Sequence, residues 1–292
     1  MKFSEAEIAR WTRPASKAET VRMNNSRNAV ISALQTDPSV DFSIVKIVDK
    51  GSSHNNTNVK LKADVDLSLV QEGDFFYGLP AGYTKEHFGI IPGTQSYSTY
   101  KRTVIDAILN YFERNAVDNS SDKCTTIQGD QAIADTDVIP TWRYRLYRTD
   151  GQWDEGVAFH SDKGELVVNF PEQHTTNGNE KNNRTGRKYK RVVRILKRLK
   201  IKMQEDGVTV SDSITSFLIE SLVWNVDDRI FSQNDNYTEV LKNVLIEIYA
   251  NTSEDWNEVS NLLRLFHADR KWTIQETKDF IEAVWVYCGY NE

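Results

Sequence analysis

The spacing of hydrophobic and polar residues predicts a mixed first half and a helical second half. Residues 5–34 contain no glycine and have a mostly helical pattern, with Pro14 as a start or a kink. A helix is also expected over residues 100–114, whereas residues 75–97, rich in glycine and aromatics, are expected to be irregular. Short segments with β-branched residues predict strands at 42–48, 65–70, 125–127, 132–139, 144–147, 156–160 and 165–170.

The composition of the chain changes after Phe170. Tyr189, Val192, Leu196 and Leu199 share one face of a predicted helix. Further helices are expected near residues 213–224, 238–250, 256–266 and 275–287, and the polar residues 174–185 are expected to form a surface loop or a boundary. The pattern therefore predicts an α+β protein with two lobes: a mixed-sheet lobe with an N-terminal helix over residues 1–170, and a helical lobe over residues 171–292.

The amino-acid composition restricts the classes of protein to which the chain can belong. The chain has 292 residues, of which 39% are hydrophobic and 27% are charged. These proportions are typical of a globular protein and exclude a collagen-like or fully disordered chain. Two distant cysteines, Cys124 and Cys288, favour free thiols. The first residues have no apolar signal segment and no apolar run is long enough to span a bilayer, so we expect a cytoplasmic protein without a membrane partner.

Positive charge is concentrated in one segment of an acidic chain. Residues 181–202 contain eleven basic side chains and no acidic one, while the rest of the chain has 25 basic and 42 acidic residues. Such a basic helix indicates a local anionic ligand such as a polyphosphate. The alternative is an ordinary solvated helix face. The acidic remainder argues against an extended nucleic-acid footprint, although the basic helix itself could supply one, so nucleic acid remains an alternative partner.

The segment GSSHNNTNVKLKADVDL, residues 51–67, contains the candidate chemistry. Asp64 and Asp66 are two residues apart on a predicted strand and so project from one face. Two adjacent carboxylates repel each other and raise each other's pKa unless a cation lies between them, and hard oxygen ligands suit Mg²⁺. Gly51 and Ser52 form a turn whose backbone N–H groups could approach a phosphate. Solvated acids and a simple turn are the alternatives.

Together these elements resemble the nucleotidyltransferase superfamily, in which a Gly-Ser turn and a threonine-containing loop precede an Asp-x-Asp strand. The resemblance implies a polymerase-β-like fold and a third carboxylate on a later strand. Asp137, followed by apolar residues and Pro140, matches that position, and Asp135 is its competitor.

The second half resembles one branch of that superfamily, the bacterial CD-NTases. These cyclic-oligonucleotide synthases are relatives of cyclic GMP-AMP synthase and oligoadenylate synthase. The matching segments are PEQHTTNGNEKNNRTGRKYKRVVRILKRLK and SITSFLIESLVW. The resemblance implies that Lys197 and Ser216 hold the donor triphosphate and that Phe217 stacks on a base, where solvated surface and core packing are the alternatives for Lys197 and Phe217. One departure is Asn56, where the family often has glycine before the loop threonine.

The resemblance also implies a reaction. Asp64, Asp66 and Asp137 would bind two Mg²⁺ ions, for which Mn²⁺ can substitute, and ribonucleoside triphosphates would be joined into a cyclic di- or trinucleotide with release of pyrophosphate. The nucleotide cleft would be closed by the helical lobe. The product would act as a second messenger in bacterial antiphage (CBASS) signalling and be sensed by a downstream effector. The alternative functions are nucleotide addition to RNA ends and AMP transfer to a protein. The non-enzymatic alternatives are an acidic adaptor and a degenerate homologue that only binds nucleotide.

Overall fold

The computed structural model describes residues 2–14, 16–59 and 64–290. The chain forms two compact units. The sheet unit consists of Ser16–Ser53 and Ala63–Pro171, and the helical unit consists of Met1–Ala15, His54–Lys62 and Glu172–Glu292.

The described residues form seven strands and ten α-helices. The strands are β1 (Val45–Lys50), β2 (Val65–Gly78), β3 (Val117–Asp118), β4 (Thr125–Ile127), β5 (Thr136–Tyr147), β6 (Trp153–His160) and β7 (Leu166–Asn169). The helices are α1 (Glu5–Trp11), α2 (Lys17–Thr36), α3 (Gly51–His54), α4 (Tyr97–Tyr111), α5 (Pro171–Arg184), α6 (Lys188–Glu205), α7 (Ser216–Asn225), α8 (Asp228–Ser232), α9 (Tyr237–Asn251) and α10 (Ile274–Cys288). None of these helices is long and apolar enough to cross a membrane.

The strands form one mixed sheet. Its order is β1-β2-β5-β4-β3, with β6 paired to β5 and β7 paired to β6. Only the β2–β5 pair among these is parallel. On one face of the sheet, Leu67 and Val138 pack with Leu34 of α2 and Val104 of α4. Because side chains alternate along a strand, the neighbouring residues Asp66 and Asp137 project from the opposite face.

The helical unit is built around α6. Its buried face, including Tyr189, Val192, Leu196 and Leu199, packs in one hydrophobic core with residues of α1, α7, α9 and α10. The predicted stripe is therefore confirmed, as is the α+β class. Pro14 lies between α1 and α2, so the helix predicted over residues 5–34 is divided into two helices at this proline.

Several local predictions are wrong. Phe42–Ile44 form a 3₁₀ helix before β1, and the strands predicted at 132–139 and 144–147 are one continuous strand, β5. Residues 75–78 continue β2, because a β-bulge between Gln71 and Phe75 allows the strand to resume its pairing with β5. Residues 174–184 are helical rather than a loop, because the buried Lys181 ammonium donates to Val226 O and Asp228 and ties α5 into the unit despite its polar sequence.

The predicted helix over residues 256–266 is absent from the structure. This segment instead folds back on itself through a bridge between Asn257 and Arg264. Asn261 at its tip has φ of 60°, a left-handed conformation that interrupts a helix and that asparagine tolerates better than most residues.

The basic side chains of residues 181–202 do not all face solvent. Lys181, Lys190, Arg194 and Lys197 are all buried, with relative exposures of 7% or less. Each has partners within the helical unit: Lys190, for example, donates to Asn179 Oδ1 at 2.6 Å. The solvated-face interpretation is therefore wrong for these four cations.

Candidate active site

A row of polar side chains crosses four strands of the sheet unit. Lys50 of β1 is in register with Asp66 of β2, Asp66 with Asp137 of β5, and Asp137 with Thr126 of β4. Residues directly opposite one another on neighbouring strands share a face and lie about 5 Å apart. The Thr126 hydroxyl donates to Asp137 Oδ1 at 2.6 Å, which fixes the orientation of that carboxylate.

The charges in this row influence one another. The pKa of Lys50 is lowered from its usual value, because burial outweighs Asp66, Cys124 and Asp137, which favour the charged ammonium and offset part of the shift. Lys50 therefore lies beside two carboxylates on the face of the sheet opposite the core formed with α2 and α4.

The other two acids of the sequence motif lie just outside the strands. Asp64 is exposed and directly precedes β2. Asp135 is exposed and directly precedes β5, and its Oδ1 accepts a hydrogen bond from Gly129 N at 2.6 Å. Asp137, not Asp135, is the residue in register with Asp66.

The Gly-Ser turn contacts the carboxylate row directly. Gly51 has φ of +71°, a left-handed conformation that favours glycine. A Cβ atom at this position would lie 2.7 Å from Asp66 Cγ and would overlap one carboxylate oxygen. Only glycine can therefore place this backbone against the Asp66 carboxylate, and the half-buried Ser52 follows it in α3.

The donor set fits a hard divalent cation. Asp66 and Asp137 present carboxylate oxygens from adjacent strands, and such oxygens are what Mg²⁺ prefers. In the described ranges, no three His, Cys, Asp or Glu side chains are grouped closely enough to hold an ion by themselves. Mg²⁺ usually keeps several waters and binds through one or two carboxylates plus substrate phosphates, so two preorganised carboxylates are sufficient to begin such a site.

A second polar cluster lies inside the helical unit. The Lys197 ammonium on α6 is 3.2 Å from Thr57 Oγ1 and 3.4 Å from Glu220 Oε2. The Thr57 hydroxyl donates to Glu220 Oε2 at 2.7 Å, and His174 Nε2 lies 3.1 Å from Glu220 Oε1. Lys197 and Glu220 are each only 3% exposed, and Thr57 is fully buried. Thr57, the loop threonine of the motif, is therefore held by hydrogen bonds to Lys197 of α6 and Glu220 of α7.

Glu220 is ionised because of its partners. Burial by itself would raise the pKa of this carboxyl, but the Lys197 ammonium, followed by His174 and Thr57, outweighs burial and lowers the pKa to about 2. The Glu220 carboxylate is therefore ionised at neutral pH, and both of its oxygens have hydrogen-bond partners.

The structure explains the departure at Asn56. Its φ is 55°, so the backbone adopts the left-handed conformation for which glycine is the usual residue and asparagine the most common substitute. Arg194 holds this turn through its guanidinium group: Nη1 donates to Asn56 O, and Nε donates to Thr12 O at 2.7 Å. Asparagine therefore preserves the turn that positions Thr57.

Ser216 and Phe217 open helix α7. Thr215 caps this helix by accepting from Leu218 N at 3.1 Å, and the Ser216 that follows is exposed. Phe217 is half-buried, with its ring centroid 5.8 Å from that of His174 and 6.1 Å from that of Trp272. The ring therefore belongs to an aromatic cluster while part of its surface is accessible.

Sequence reasoning missed two charged residues of these clusters. Glu220 is the only charged residue in the mostly apolar helix SFLIESLVWN, and a single acid in such a helix is a signal of a buried pair. Lys50 directly precedes the Gly-Ser turn, but only the strand register shows that it faces Asp66.

Comparison with known proteins gives consistent matches along the whole chain. Residues 176–289 match the family described as the cGAS/DncV-like nucleotidyltransferase C-terminal helical domain. A cyclic dipyrimidine nucleotide synthase, CdnE, of Cecembia lonarensis is 40% identical over 97% of this chain and 98% of its own. A cyclic dipurine nucleotide synthase of Elizabethkingia meningoseptica is 34% identical, with all of both chains covered.

A solved structure matches the fold as well. The Elizabethkingia meningoseptica CdnE cyclic dinucleotide synthase, determined with GTP and Apcpp, superposes with a TM-score of 0.83 at 32% identity. The match covers 99% of this chain and 100% of the other. The expected α+β nucleotidyltransferase fold is therefore confirmed.

Proposed function

The chain belongs to the CD-NTase family of nucleotidyltransferases, and from that premise we propose that it condenses two ribonucleoside triphosphates into a cyclic dinucleotide with release of pyrophosphate. The observation that carries this proposal is the register pair of Asp66 and Asp137 beside the close approach of Gly51. Full-length similarity to two cyclic dinucleotide synthases supports ring formation over tailing of RNA or modification of a protein.

Asp66 and Asp137, joined by Asp64, would hold two Mg²⁺ ions, and Mn²⁺ would substitute for them. When bound, these ions neutralise triphosphate charge and acidify the acceptor ribose hydroxyl. The protein itself contributes position and fixed charge: the Thr126 hydroxyl holds the Asp137 carboxylate in one orientation.

In the proposed reaction, the acceptor ribose oxygen forms a bond to the donor α-phosphorus as the bond from that phosphorus to pyrophosphate breaks. The hydroxyl proton passes to the Asp137 carboxylate. The backbone at Gly51 and Ser52, together with Ser216, orients the donor triphosphate, and Phe217 stacks on a nucleobase. Lys197, which the resemblance assigns to the triphosphate, would exchange its buried pairing with Glu220 for a phosphate oxygen. A second round on the linear intermediate closes the ring.

Base choice depends on a small number of side chains rather than on the fold. The two relatives named above are a dipyrimidine and a dipurine synthase, although both align with this chain along its length. The complex of the Elizabethkingia enzyme with GTP and Apcpp supports nucleoside triphosphates as the substrates here. We further propose a cytoplasmic role in antiphage signalling, in which a separate effector senses the product.

Product analysis tests this proposal. Purified protein is incubated with all four ribonucleoside triphosphates and Mg²⁺ or Mn²⁺, and the products are treated with phosphatase and analysed by mass spectrometry. We expect a phosphatase-resistant product with the mass of a cyclic dinucleotide and two pyrophosphates per product molecule. A ladder on added RNA, or AMP bound to protein without a cyclic product, would instead establish one of the alternative functions.

A further inference from the structure

Lys50 extends the carboxylate row by one position, and no role has been assigned to it. It is half-buried at the end of β1, directly opposite Asp66, and Asp66 is directly opposite Asp137. Antiparallel and parallel partners in register share a face, so the lysine and both carboxylates project from the same side of the sheet.

We infer that Lys50 is an internal counter-cation that weakens the binding of free divalent ions to the carboxylate pair and thereby favours entry of the metal together with the nucleotide. This inference rests on the proposed function of Asp66 and Asp137. Lys50 is thus a positioning residue: its charge acts on the metal and on the triphosphate.

The effect of Lys50 is electrostatic. Two carboxylates that share a face on neighbouring strands, whose backbones lie about 5 Å apart, repel each other, and the Lys50 charge offsets part of that repulsion. A divalent ion that enters alone must approach this fixed positive charge. A metal–triphosphate complex carries net negative charge, so the same lysine attracts it.

The matched control lies on the same strand. Lys46 is exposed, is four residues from Lys50 on β1 and therefore shares its face, but it pairs with Val70 rather than with an acid. Four residues of strand separate the two positions by about 13 Å, which exceeds the Debye length of about 10 Å at 0.1 M salt. Removing the Lys46 charge should therefore leave the carboxylate pair unaffected.

The test measures binding of free Mn²⁺ to the full-length protein by electron paramagnetic resonance, without nucleotide. Lys50→Gln should bind Mn²⁺ about ten-fold more tightly than the wild type, whereas Lys50→Arg and Lys46→Gln should match the wild type. In parallel, Lys50→Gln should bind a non-hydrolysable triphosphate analogue in the presence of Mn²⁺ more weakly than the wild type. Thermal melts establish that each variant is folded.

The outcomes separate this inference from the function on which it rests. If Asp137→Asn weakens Mn²⁺ binding but Lys50→Gln leaves it unchanged, or if Lys46→Gln tightens it equally, the role of Lys50 is refuted. If Asp137→Asn has no effect on Mn²⁺ binding, the metal site itself is wrong, and the proposed function fails with it.

Discussion

Replacing Gly51 with alanine should abolish most of the activity while leaving the protein folded. Two effects act at this position. The left-handed φ of +71° costs an L-residue about 1–2 kcal/mol. In addition, the new Cβ would lie 2.7 Å from Asp66 Cγ, where ordinary contacts begin near 3.4 Å, so the carboxyl must retreat by about 0.7 Å or more.

Gly151 provides a control that separates the two effects. Its φ of +84° is similar, but a Cβ atom there would meet nothing within 4 Å. Gly151→Ala should therefore show only the backbone cost, a fall in melting temperature of about 2–4 °C per kcal/mol for a chain of this size. Its rate of pyrophosphate release should remain close to that of the wild type.

The assay is the initial rate of pyrophosphate release at saturating nucleotide and Mg²⁺, together with thermal melts of each variant. Displacing a reacting group by about 1 Å can cost about 100-fold in rate, so Gly51→Ala should lose activity on that order. Adding Asp66→Ala to Gly51→Ala should remove the steric part of the stability loss. The effects of the two substitutions on the free energy of unfolding should therefore be non-additive. An activity of Gly51→Ala within about three-fold of Gly151→Ala would refute the reasoning.

Two further predictions concern the helical unit. Glu220 has a pKa of about 2 when folded, against a usual value of 4.5. Its ionisation therefore stabilises the fold above about pH 4.5, and this contribution, on the order of 3 kcal/mol, is lost as the pH falls towards 2. Glu220→Gln should remove this pH-dependent stabilisation. If urea unfolding shows the same loss of stability at acid pH in the wild type and in Glu220→Gln, the role of Glu220 is contradicted. Phe217→Leu should raise the KM for nucleotide by about ten-fold through lost stacking, with Phe217→Tyr restoring it; an unchanged KM in Phe217→Leu would indicate that the ring serves only the core.

The sequence predicted those features that depend on local pattern. The Gly-Ser turn, the Asp-x-Asp pair and the apolar stripe of α6 follow from spacing and residue type, whereas Asp137 of β5 was found through the family resemblance. Asp137 and Asp135 could not be separated by spacing alone. Strand register distinguishes them, because β5 begins between the two and brings Asp137 opposite Asp66.

The features that sequence reasoning missed depend on long-range contacts. Helix α5 has a polar, glycine-containing sequence, and its buried Lys181 finds its partners some 45 residues later, at Val226 and Asp228. The pairing of Lys197 with Glu220 likewise joins two helices, and it places the lysine inside the unit rather than on a solvated face. Such contacts leave little trace in local periodicity.

The most direct test of the central claim compares Asp137→Asn with Asp135→Asn in the pyrophosphate-release assay. Both substitutions remove one negative charge at almost the same point of the chain. The account predicts that Asp137→Asn lowers the rate by about 1,000-fold or more, because the carboxylate in register with Asp66 is lost, while Asp135→Asn stays within a few-fold of the wild type. Full activity in Asp137→Asn, or a greater loss in Asp135→Asn, would contradict it.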